Sequence, residues 1–241
     1  MSRTRLILLG LLAAVAVSVV ATASTSTPAS ASGSCLTVTK APAYCVEGVP
    51  LENASEKIEG TNGASVLKAT IASVTSEVKC GKGKTTGAIE GGAAGTVGKS
   101  KTTITFEECK LLKPANCKLT AADEREIKTT VLKGELVLTG TRVEDKLEPK
   151  EGAGFAGISI EGKESSCVIS HVGEVKTFSV TGSQLCEVDS TNTAAEKETE
   201  KHKIICKAAG GSLEIGANPA ELEDEATIKL TSVKNWSVKE T

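Results

Sequence analysis

The segment Lys101-Thr102-Thr103-Ile104-Thr105-Phe106-Glu107-Glu108 alternates strictly, with Thr102, Ile104 and Phe106 on one side of an extended chain and Thr103, Thr105 and Glu107 on the other. A repeat of two residues is the signature of a strand with one face buried, and a helix does not reproduce it. Residues 225–231 repeat it, Ala226, Ile228 and Leu230 alternating with Thr227, Lys229 and Thr231. Shorter strands are expected at 66–73, 128–132, 135–139, 155–161, 167–170, 175–181, 202–207 and 212–215, each bounded by Gly, Asn or charged residues. The segment 191–203 is long enough for a helix and free of Gly and Pro, but it lacks an apolar stripe and reads as a solvated loop or polar turn. The fold class that follows is all-β: an antiparallel β-sandwich or barrel with disulfides and Gly-rich hairpins.

Residues 6–20 carry no charge, follow Arg3 and Arg5, and precede Ala21-Thr22-Ala23. That is the order of an export signal and its small-x-small cleavage site, and the run is shorter than the roughly 20 apolar residues of a membrane span. Residues 1–23 are therefore expected to be a signal peptide, 24–34 a disordered leader, 35–63 a small cysteine-bracketed appendage and connector, and 64–241 a single all-β domain. The expected location is secreted or extracellular, with no membrane span after signal removal. Ser32, Gly33 and Ser34 precede Cys35 where a lipobox would need an apolar residue, which favours release over lipid anchoring.

Eight cysteines, Cys35, Cys45, Cys80, Cys109, Cys117, Cys167, Cys186 and Cys206, are an even count in an exported chain and read as disulfides. No C-x-x-C pair occurs, so the usual zinc-ribbon and thioredoxin spacings are missing. Eight cysteines allow 105 connectivities. Sequence separation favours Cys35 with Cys45, Cys109 with Cys117 across a Lys113-Pro114-Ala115-Asn116 turn, and Cys186 with Cys206, leaving Cys80 with Cys167. Cross-links suit a core with few aromatic side chains: Tyr44, Phe106, Phe155, Phe178 and Trp236 are the whole set.

Candidate chemistry is sparse. Gly95-Thr96-Val97-Gly98-Lys99-Ser100 ends like a phosphate-binding loop, but Ala93 replaces its first glycine and a strand, not a helix, follows. The plainer reading of Gly81, Gly83, Gly87, Gly91, Gly92, Gly95 and Gly98 is a set of turns and bulges. Ser65-Val66-Leu67-Lys68 matches S-x-x-K without its companion motifs, and no G-x-S-x-G occurs. His171 and His202 are the only imidazoles, and Asp123, Asp145, Asp189 and Asp224 the only aspartates, with nothing in their spacing to select a Ser-His-Asp set. Glu221, Glu223, Asp224 and Glu225 lack the order of a calcium loop and read as a solvated turn. Asn53-Ala54-Ser55 and Asn235-Trp236-Ser237 match glycosylation sequons. No cofactor or metal is expected. The chain carries 28 Lys and Arg against 30 Asp and Glu, for a net charge of −2, and loss of Arg3 and Arg5 with the signal leaves about −4. Interspersed charge of this kind supplies no footprint for nucleic acid.

Cys80 with its Gly-rich continuation, Thr103-Ile104-Thr105-Phe106-Glu107-Glu108-Cys109, Leu132-Lys133-Gly134-Glu135-Leu136, Leu147-Glu148-Pro149 and Gly154-Phe155-Ala156 resemble a group of uncharacterised actinobacterial exported, cysteine-containing, β-rich proteins. The resemblance covers residues 66–232 and implies a secreted β-rich fold without an assigned activity. The expected function is a non-enzymatic, disulfide-stabilised structural or interaction module with an extracellular or cell-surface partner. The alternatives are a secreted hydrolase built on distant carboxylates with His171 or His202, and an inhibitor of extracellular enzymes presenting the Cys109 to Cys117 loop.

Overall fold

In the computed structural model, residues 41–239 are described apart from 94, 141, 153 and 190–197. The leading elements are β1 (Ala43–Val46), β2 (Val49–Pro50), β3 (Ser55–Asn62), β4 (Ser65–Ile71), β5 (Val74–Glu90), β6 (Lys99–Lys113) and β7 (Cys117–Leu119). One helical turn, α1 (Ala121–Arg125), is capped by the Thr120 hydroxyl, which accepts from the Asp123 amide. Then follow β8 (Glu126–Lys128), β9 (Leu132–Thr139), β10 (Arg142–Pro149), β11 (Gly154–Gly162), β12 (Val175–Thr181) and β13 (Gln184–Val188). The chain ends in β14 (Lys201–Gly211), β15 (Glu214–Ile215), β16 (Asn218–Leu230) and β17 (Trp236–Lys239).

Eight strands in the order β14-β13-β10-β9-β6-β5-β3-β16 pair antiparallel, and β14 pairs again with β16, which closes a barrel. Closure removes the open edges that a sandwich would keep. The long strands β5, β6 and β16 run on past this barrel. Beyond it β4 joins β16 to β5, β15 and β12 lead from β16 to β11, and β8 extends β6. A single bridge, Thr129 to Ala156, links β8 to β11 and completes a second ring. A small sheet, β17-β1-β2, brings Tyr44, Val46, Trp236 and Val238 into the first barrel's apolar core.

Strand periodicity accounts for the burial. In β16 Ala220, Leu222, Asp224, Ala226, Ile228 and Leu230 are buried in alternation with outward residues. The acidic stretch read as a turn is thus the first half of this strand: Glu221, Glu223 and Glu225 face out and Asp224 faces in. Gly81, Gly83 and Gly87 lie inside β5, not in turns, while Gly91, Gly92, Gly95 and Gly98 make the β5–β6 connection. A Cβ on Gly87 would stand 2.0 Å from the Lys101 carbonyl oxygen, so this glycine serves close strand approach. Residues 55–62, expected within a connector, form a barrel strand, and 167–170, expected as a strand, are irregular because Cys167 is held in a loop. The segment expected as a polar loop at 191–203 lies mostly outside the described residues; its end begins β14.

Two of the expected disulfide pairings are replaced. Cys80 bonds Cys109, Cys117 bonds Cys167, and Cys186 bonds Cys206 as expected. Cys80 and Cys109 stand directly opposite in the β5–β6 register, as do Cys186 and Cys206 between β13 and β14. Strand register, not nearness along the chain, selects the partner, and Cys117 belongs to β7, which packs on β11. Cys45 is also disulfide-bonded; Cys35 lies outside the described residues. Three disulfides fit an oxidising, extracellular-type environment. Among the described residues no helix is long and apolar enough to cross a membrane.

Candidate functional site

Residues directly opposite one another across a sheet share a face, so one register row places four side chains inside the barrel. Asp145 on β10 opposes Cys186, Cys186 opposes Cys206, and Cys206 opposes Asp224 on β16. The Cys186–Cys206 disulfide therefore sits between two buried aspartates. Asp145 Oδ2 accepts from the Ser100 hydroxyl at 2.9 Å and, more distantly, from Tyr44 at 3.5 Å. Asp224 Oδ2 accepts from Asn62 Nδ2 at 2.6 Å, and Asn62 Oδ1 accepts from the Thr85 hydroxyl at 2.9 Å. Gly134 makes room for the first pair, since a Cβ there would come within 2.2 Å of Asp145 Oδ1.

This polar belt lies between two apolar clusters. Phe106, Phe155, Ile158 and Leu222 lie in one, and Ile58, Ile89, Leu136 and Trp236 in the other. Burial raises both carboxyls from 3.8 to about 6, against the lowering effect of hydrogen bonds from Ser100 and Tyr44 at Asp145, and from Asn62 and the Glu225 amide at Asp224. Tyr44 is pushed well above its usual value, first by burial and then by the charge of Asp145. Thr102 Oγ1, Asp145 Oδ1 and Asp224 Oδ1 find no hydrogen-bond partner among the described residues. The cavity they border measures about 40 Å³. That holds a few waters at roughly 10–15 Å³ each, and it is too small for a sugar ring or a peptide. A second cavity of about 40 Å³, among Leu67, Phe106, Phe155 and Leu222, has no titratable lining.

The imidazole and aspartate that sequence could not match are His202 and Asp189. His202 is 2% exposed. Its Nδ1 is 2.6 Å from Asp189 Oδ2, and its Nε2 is 2.6 Å from the Trp236 carbonyl oxygen and 3.2 Å from Thr199 Oγ1. Thr199, His202 and Asp189 thus superficially order themselves as nucleophile, base and orienting acid. However, the Thr199 hydroxyl donates to the Lys201 carbonyl, so it can only accept from Nε2. Both ring nitrogens are thus taken up by groups of the fold, Nδ1 by the Asp189 carboxylate and Nε2 by the Trp236 carbonyl, and neither faces a space that a substrate could enter. The Lys203 amide donates to the other Asp189 oxygen. The group is a clamp between β14, the end of β13 and β17. Asp189→Asn should therefore lower stability by about 1–3 kcal/mol, the cost of disturbing the hydrogen bonds of a buried polar group. Urea unfolding followed by the lone Trp236, whose ring lies 4.3 Å from the His202 ring, checks this; an unchanged midpoint would contradict the clamp.

His171 is exposed, and its amide donates to Glu174. Asp123 accepts from the Ser159 amide beside α1. Among the described residues no three His, Cys, Asp or Glu gather as a metal site. The Cys109 to Cys117 stretch is not closed by a disulfide, so the brace expected of an inhibitor loop is missing. A groove of about 440 Å³ with charged and hydroxyl lining runs on the outside across β14, β16, β3 and β5. Sequence reasoning missed it because its residues come from four strands that are distant along the chain. Sequence reasoning also missed Asp145 as a buried acid, for its neighbours Arg142, Glu144 and Lys146 suggest an exposed segment. The one available signal was Val143-Glu144-Asp145-Lys146-Leu147, whose period of two puts Asp145 on the face of Val143 and Leu147.

No family model matches the chain, and neither curated proteins nor solved structures yield a match.

Proposed function

We propose that the protein is an exported, non-enzymatic, disulfide-stabilised β-module that works at or outside the cell surface through its outer wall. The observation that carries this reading is the placement of its chemistry. The buried acids border a cavity of about 40 Å³, both ring nitrogens of the buried His202 are engaged by Asp189 and the Trp236 carbonyl, and a groove of about 440 Å³ lies on the outer wall. A barrel filled in this way presents a fixed surface, since its strands are hydrogen-bonded on both sides and cross-linked within. The apolar run at residues 6–20 and the oxidised cysteines support export.

The test is turnover. The oxidised protein recovered from culture medium should show no hydrolysis of glycosidic, ester or peptide substrates. Turnover abolished by Asp145→Asn, Asp224→Asn or His202→Gln in a folded variant would replace this reading with the hydrolase. Intact mass with and without reduction tests export: the cysteines should accept alkylating agent only after reduction, and the residues before the cleavage site should be missing.

A further inference from the structure

The outer groove has a composition that the chain as a whole does not. Lys84, Lys201 and Lys229 line it with one carboxylate, Glu59, on a protein whose formal charge is −2. Lys201 stands directly opposite Lys229 in the β14–β16 register. Like charges in that position repel and weaken the strand pair. Lys229 is answered by Glu59 at 3.0 Å and Lys84 by Glu107 at 2.7 Å, whereas among the described residues Lys201 has no ion pair. Between the ammonium groups lie three hydroxyls. Thr61 opposes both Thr227 and Lys84, and Thr86 opposes Glu59. None of the three threonine hydroxyls hydrogen-bonds another described residue.

We propose that this groove binds an anionic, hydroxyl-rich chain, an acidic oligosaccharide, with Lys201 and Lys84 meeting its charges and the threonines its hydroxyls. The proposal rests on the binding-module reading and supplies its partner's chemistry. Lys201 on β14 and Lys84 on β5 are three strand spacings and two residues apart, roughly 16 Å at about 4.8 Å per strand and about 3.3 Å per residue, which suits a short oligomer more than a single ion. A hydroxyl can donate and accept, so a row of threonines fits a polyol, where a purely basic groove would fit any polyanion. The groove has no aromatic lining; Tyr44, Phe106, Phe155 and Trp236 are all buried in the cores. Without stacking platforms a neutral sugar has little to hold it, and a single-stranded nucleic acid lacks the surfaces on which its bases would stack. Affinity must then come mostly from charge, so it is weak and falls with salt.

The experiment is an amide chemical-shift titration of the intact oxidised protein at about 20 mM ionic strength, where screening is weak. Tetragalacturonate and a glycerol-phosphate tetramer supply the charge as carboxylate or phosphodiester. Neutral maltotetraose and a deoxythymidine tetramer are the comparisons. The proposal expects saturable shifts at Thr61, Lys84, Lys201 and Thr227 with tetragalacturonate, and shifts with the glycerol-phosphate tetramer alone would overturn the oligosaccharide assignment. It also expects about tenfold weakening at ~200 mM salt, in keeping with the shorter screening length, and at least fivefold weakening in Lys201→Glu. Thr227→Val separates the hydroxyl contribution and should weaken binding by several-fold with the Trp236 emission unchanged. Absence of shifts, shifts centred elsewhere, equal binding of maltotetraose, tighter binding of the nucleotide, or an unaffected Lys201→Glu would each overturn the groove assignment. Failure of binding without turnover leaves the module reading standing. Hydrolysis of tetragalacturonate would overturn the module reading itself.

Discussion

Reduction of the disulfides should unfold this protein at room temperature. The bridges Cys80–Cys109, Cys117–Cys167 and Cys186–Cys206 span 29, 50 and 20 residues and follow one another without overlap. Each therefore restricts a separate stretch of the unfolded chain. In the loop-closure account they contribute about 3–4 kcal/mol apiece, roughly 11 kcal/mol together. That is as large as the whole stability of an ordinary domain, about 5–15 kcal/mol. The six sulfurs are buried, so reductant reaches them only through opening of the barrel, and the loss should be slow in native buffer and fast in mild urea. Far-ultraviolet circular dichroism and Trp236 emission, with and without reductant, make the check. A reduced chain that keeps its urea midpoint would place the stability in packing instead.

Stability should also rise as the solution is made mildly acidic, opposite to the usual course of acid denaturation. Asp145 and Asp224 hold their protons up to about pH 6 in the folded barrel, where burial disfavours the charge, and release them near 3.8 when unfolded. The folded state thus binds the extra protons, and its advantage is full below about pH 4 and is lost as pH rises through 6. At about 1.4 kcal/mol per unit, ionising both acids withdraws roughly 3 kcal/mol each by neutral pH. Opposing this, Glu56 and Glu148 are held low by Lys234 and Lys133 respectively, and those surface pairs weaken only as the solution becomes more acidic still; they contribute little. The urea midpoint should consequently be higher at pH 5 than at pH 7.5, with most of the decline between pH 5 and pH 6.5. Asp145→Asn and Asp224→Asn should each raise the midpoint at pH 7.5 and flatten its pH dependence. A wild-type midpoint that is level from pH 5 to 7.5 would mean that the two acids are solvated.

The alternation in 101–108 and 225–231 was sufficient to dictate strands, because burying one face of a pleat requires a period of two wherever the strand ends up. It also implied the all-β class. Polar residues on an inward face defeated the same rule: β10 and the first half of β16 carry aspartates where apolar residues would have announced a strand. The glycines of β5 misled in the other direction, since a missing side chain signals a turn and a close strand contact equally well. Oxidised cysteines were legible from number and context, but their partners follow from which strands lie side by side. The sequence by itself determined the local extended structure, the thin aliphatic core and the need for cross-links. Only the tertiary structure decided that the sheet closes into a barrel, that Asp145 and Asp224 share one buried row, and that three lysines from different strands meet in one groove. The reason is physical: periodicity acts between neighbours along the chain, whereas register, closure and charge clustering depend on residues brought together from far apart in it.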